Sequence, residues 1–172
     1  PKGLSAQMMR DKGHQFVPTE SVDSITIPGA IDAFCQLSND WGILGLDTIL
    51  APAIKYATEG VPVAPKVAYD WSNAVNRLHA SAKSKFSHSG QAPKIGDIFA
   101  APKQAEVLEK VALNGRDGFY GGSVAEDMVM SLQALGGKHT EEDFAVQKAF
   151  YTDPITGPVS YTHLRAHETH RY

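Results

Sequence analysis

Apolar residues recur every three or four positions through most of this chain, the period of a helix rather than of a strand. In "PGAIDAFCQLSNDWG" (28–42), Ile31, Phe34, Cys35 and Leu37 share helical spacing, with Pro28 at the start and Gly42 at the exit. The preceding "SITI" is short and β-branched and predicts a strand. In "GLDTILAPAIKYATEG" (45–60), Ile49, Leu50, Ala53, Ile54 and Ala57 make one apolar face and Gly60 predicts a C-cap. Pro52 inside it predicts a kink or a new first turn. "APKVAYDWSNAVNRLHASAKSKF" (64–86) predicts a third helix on Val67, Trp71, Val75 and Leu78.

Residues 87–96 are rich in Gly, Ser and Pro and predict a surface loop. "PKQAEVLEKVALNG" (102–115) then carries a stripe of Ala105, Leu108, Val111 and Ala112, ended by Asn114-Gly115. "GGSVAEDMVMSLQALGG" (121–137) predicts a helix between glycine pairs, with Ser123 as N-cap. "HTEEDFAVQ" opens on Thr140 with Asp143 three residues on, a start like a capping box. "KAFYTDPITG" reads as extended, with a turn at Asp153-Pro154. Five or six helices with little strand predict a mostly α chain, and no repeat or linker divides it.

The 172 residues suffice for one domain with a real core. A hydrophobic content of 42%, a charged content of 20% and a net charge of −3 are ordinary for a globular protein. There is no basic block for nucleic acid, and no apolar run approaches the ~18 residues of a membrane span. The single cysteine, Cys35, excludes an internal disulfide and a cysteine-based zinc cluster; in an apolar helical pattern it reads as an inert core thiol.

Candidate chemistry is sparse. "GRDGFYGG" lacks the Lys-Ser/Thr of a P-loop and the spacing of a dinucleotide fingerprint, so it reads as a helix cap, an aromatic anchor and the next helix start. Glu141, Glu142 and Asp143 suit a helix N-terminus. His79 and His88 flank a polar loop and read as solvated; Trp71 and Tyr69 read as core. No Ser, His and Asp set stands out as a triad. His163, His167 and His170 near the C-terminus come closest to a metal template, since residues four apart share a helix face.

The order of segments adds what periodicity does not. The Pro28-Gly29 start, the "APAIKYATEG" block (51–60), the "NGRDGFYGGSVAED" block (114–127) and Gly136-Gly137 followed by Thr140 and Asp143 resemble the large subunit of the gamma-glutamyltransferase (glutathione hydrolase) family, over about Pro1 to Gly157. The resemblance implies part of an α/β N-terminal-nucleophile hydrolase with an αββα fold. Such precursors cut themselves into two subunits. The small subunit's new N-terminal Thr attacks a γ-glutamyl amide such as glutathione, with its own amine as base. Backbone N–H groups hold the oxyanion, and the glutamyl group passes to water or an amino acid. No metal or organic cofactor is implied, and a periplasmic or extracellular setting fits the family.

The resemblance places no catalytic, substrate-binding or metal residue within the chain. The Thr and the oxyanion loop belong to the small subunit, the partner this chain implies. The family's substrate-binding arginine falls just before the position of Pro1, and Arg10 lies too far downstream to replace it. Lys138-His139 departs from the more apolar pair of some members, which leaves the substrate open between γ-glutamyl amides and those of related amidohydrolases. The pattern breaks at Gly157, where "VSYTHLRAHET" resembles a translated sequencing adapter, so 158–172 reads as a non-native tail. Without it the net charge is −4, from 14 basic and 18 acidic residues, since Arg165, Arg171 and Glu168 go. Two readings from other classes stay beside this one: a noncatalytic helical interaction module, and a metal binder built on the histidine tail.

Overall fold

The helix pair that organises one half of the fold is α3 (Leu46–Glu59) against α6 (Pro102–Asn114). The structure is a computed structural model and describes residues 1–154. Ala105 and Val111 are buried on α6, and Leu50, Ile54 and Ala57 are half-buried on α3. These are members of the two predicted stripes, which meet because each is apolar along one face. Pro52 lies inside α3, yet the helix continues through it rather than restarting. Gly60 caps α3 at φ +88°, a conformation that L side chains avoid. The chain leaves it into β1 (Val61–Pro62), antiparallel to β2 (Ile98–Phe99), with Val61 opposite Phe99.

The second half centres on the core formed by Tyr120, Ala125, Val129 and Phe144. These come from α7 (Asp117–Tyr120), α8 (Gly122–Ala134) and α9 (Glu141–Ala145), which follow α6 directly. Ile27, just before α2 (Ala30–Trp41), and Ile31, in its first turn, pack on them. Two more helices lie early and midway: α1 (Ala6–Asp11) and α4 (Pro65–Ala74). After α4 comes the short α5 (Ala80–Phe86). The mostly α reading holds.

Several expectations differ in detail. The single helix expected over 64–86 is split into α4, a 3₁₀ turn at Val75–Arg77 and α5, with extended backbone at Leu78 and His79. Side chains explain the break: Ser72 and Asn73 bond back to the Tyr69 carbonyl, and the Trp71 indole N–H donates to the Phe86 carbonyl at 2.8 Å. The chain must fold back for that last bond to form. "SITI" pairs with no strand among the described residues; Ser24 ends a 3₁₀ turn and the Ile25 carbonyl accepts from the His139 ring. Ser123 is not the cap of α8, because Gly121 is extended there and the Ser123 hydroxyl is engaged by Lys110 at 2.7 Å. Phe34 and Leu37 are exposed, and the buried residue of α2 is Asp32. Tyr69 is also exposed, while Trp71 is half-buried against Phe99.

Candidate functional site

The start of α2, the turn around α7 and the chain after α9 converge on one buried polar cluster. Asp32 enters it because α2 begins at Ala30, which turns the third residue of the helix inward beside Ile31. Gly115 ends α6 at φ +58°, and the reversal there aims Arg116 and Tyr120 back toward α2. Gly118 lets this turn lie tight on α6, since a Cβ on it would collide with the Lys110 carbonyl.

Within the cluster, Arg116 Nε lies 2.9 Å from Asp32 Oδ1, an ion pair rather than an aligned hydrogen bond. Arg116 Nη2 donates to the carbonyls of Ala145 (2.7 Å) and Gln147 (2.6 Å). Its guanidinium also stacks over the Tyr120 ring at 4.9 Å. The Ala149 N–H donates to Asp32 Oδ2. The Tyr120 hydroxyl donates to the Pro28 carbonyl at 2.7 Å and accepts from the Asp32 N–H at 3.1 Å. Burial pushes the Tyr120 phenol above its ordinary value, so it stays a protonated donor. Opposite charges cancel, and apart from Arg116 Nε, which meets Asp32 without a hydrogen bond, the polar contacts are hydrogen bonds, so this arrangement holds backbone together.

A second cluster joins α9 to the first residues. Thr140 Oγ1 accepts from the Asp143 N–H while Asp143 Oδ2 accepts from the Thr140 N–H at 3.0 Å, the expected capping box. Asp143 Oδ1 accepts from the Lys2 N–H at 2.8 Å, which, ahead of the Thr140 bonds, holds its carboxyl below the usual value. His139 is 1% exposed, and its Nε2 donates to the Ile25 carbonyl at 2.8 Å.

No nucleophile–base pair of the triad kind forms among the described residues. His79 Nδ1 meets Ser81 Oγ at 3.1 Å, but both are exposed and no acid orients the ring. His88 is exposed as expected and lines, with Ser87, Asp97 and Phe99, an open cleft of about 450 Å³. The Cys35 thiol is half-buried, and burial first, then the Asp32 carboxylate, raises its pKa against the opposing pull of Arg116. It fits the inert role expected of it. Among the described residues no three His, Cys, Asp or Glu side chains gather as a metal site, and no helix is long and apolar enough to cross a membrane. His163, His167 and His170, and the proposed tail as a whole, lie outside the described residues.

Sequence reasoning found the helix cap and the aromatic anchor in "GRDGFYGG" but missed what they position. The available signal was a charged Asp32 set between Ile31 and Cys35 on an otherwise apolar face.

The geometry has relatives. A family model described as gamma-glutamyltranspeptidase matches residues 1–169. The chain belongs to that family. It is 34% identical over 133 residues to the glutathione hydrolase proenzyme of Escherichia coli, covering 76% of this chain and 23% of that protein. Among solved structures, cephalosporin acylase from Bacillus halodurans superposes with a TM-score of 0.85 at 31% identity, over 92% of this chain and 31% of that one. Helicobacter pylori gamma-glutamyltranspeptidase gives 0.83 at 25% identity, over 95% of this chain and 49% of its own. The fold is accordingly the mostly helical part of an N-terminal-nucleophile hydrolase, as the resemblance implied. The chain spans about a quarter of the length of the curated relatives it matches.

Proposed function

We propose that residues 1–157 are the large-subunit part of an autoprocessed gamma-glutamyltransferase, and that 158–172 is a non-native tail despite the family model's reach to residue 169. The enzyme cleaves γ-glutamyl amides such as glutathione and its conjugates and passes the glutamyl group to water or an amino acid. The reaction runs through an acyl-enzyme on the N-terminal Thr of a small subunit cut from the same precursor. The chain contributes scaffold: the described clusters lock backbone. The family match along the whole described region carries this reading.

The test is direct. The purified 172-residue chain is expected to leave γ-glutamyl-p-nitroanilide untouched, because the nucleophile is supplied elsewhere. Turnover by this chain would overturn the assignment of the chemistry to a small subunit.

A second reading has its own support in the likeness to cephalosporin acylase. It keeps the fold and the Thr acyl-enzyme but takes the side-chain amide of a β-lactam as substrate. Comparing glutaryl-cephalosporin with glutathione as substrates for the precursor containing this chain separates the two.

A further inference from the structure

After Ala145 the chain carries no helix or strand through Pro154, yet residues 145–151 lie fixed along α2 from end to end. At the start of α2, the Arg116 guanidinium takes the Ala145 and Gln147 carbonyls and Asp32 takes the Ala149 N–H. Gln147 approaches Gly29 so closely that a Cβ there would sit 3.2 Å from its Nε2. At the far end of α2, the Tyr151 hydroxyl donates to Asp40 Oδ2 at 2.8 Å and its ring meets Trp41 edge-on at 5.0 Å. The two ends differ in kind. Tyr151, Asp40 and Trp41 are exposed, whereas Asp32 is 7% exposed and Arg116 half-buried.

The last carbonyls of a helix, and backbone outside helix and ladder, must satisfy their polar groups elsewhere. Here two of the carbonyls and one N–H are satisfied by a single ion pair. An exposed contact such as Tyr151 to Asp40 is worth little by comparison with a buried charge-assisted one. We infer that Arg116 and Asp32 form a latch that holds residues 145–151 along α2. The latch is independent of the enzymatic reading, and it makes the Arg116–Asp32 pair the one buried charged attachment described for this segment.

Lys148 is exposed in the middle of the strap and Lys94 is exposed in the 87–97 loop, so trypsin reports on both at once. The variant D32N/R116Q removes both charges together and leaves neither buried alone. Cleavage after Lys148 should rise by about tenfold or more, the scale of losing a buried pair, while cleavage after Lys94 keeps its rate. R116K keeps the charge but loses the planar fork, so it should give an intermediate rate. Equal acceleration at both sites, or none at Lys148, would overturn the latch. Hydrogen exchange on the unaltered chain adds a check that needs no variant: the Ala149 amide should exchange well behind that of Phe150, and equal rates would also refute it.

Discussion

At the scale of single residues, Asp143 links local sequence to long-range structure. Its folded pKa is lowered from 3.8, first by the Lys2 N–H. A lowered carboxylate adds stability above its unfolded value and loses it as pH falls through the folded one. Asp143→Asn should therefore destabilise the chain at pH 7, and the gap to the unaltered chain should close below about pH 4. Thermal melts of both across pH 2–7 measure this, and a gap independent of pH would contradict it. Cys35 gives a second prediction. Burial raises its thiol, so it should react with a disulfide reagent more slowly than a free thiol at pH 8 and catch up when the chain is unfolded. The capping box at Thr140 was legible because both partners lie three residues apart. Asp32 was not, because Tyr120, whose hydroxyl meets its N–H, is 88 residues away and Arg116 is nearly as distant.

Among the elements, several of the boundaries that read correctly are fixed by glycine chemistry. Gly60 and Gly115 both sit at positive φ where the pattern placed helix ends. The break between α4 and α5 was illegible because Trp71 bonds the carbonyl of Phe86 only once the chain has already folded back. The tight joint between α6 and α7 yields a prediction at this scale. Gly118→Ala forces a Cβ onto the Lys110 carbonyl, so the backbone must move. The expected loss is about 1–3 kcal/mol, as for overpacking elsewhere. Gly122 has positive φ but open space around it, so Gly122→Ala should lose less. Denaturant midpoints of the two variants compare them, and equal midpoints would show that the joint yields freely.

Across the whole molecule, much apolar surface is left uncovered. Phe34 and Trp41 on α2 are 62% and 67% exposed, and Ile43 just beyond is 98% exposed. Only two short strands occur among the described residues, and these helix faces stand bare. A self-sufficient helical interaction module would bury these side chains; part of a larger αββα enzyme would not. The isolated chain should accordingly bind a hydrophobic dye and self-associate with rising concentration. The helical character of this layer was legible from periodicity, whereas its family came only through the order of the family blocks. The most direct measurement takes the longer precursor that contains this chain and follows its cleavage and its activity on glutathione together. The expected result is a cut that exposes an N-terminal Thr downstream of residue 157, glutathione hydrolysis by the cleaved protein, and none by the 172-residue chain. A precursor that stays whole and silent, or activity from this chain alone, would contradict it.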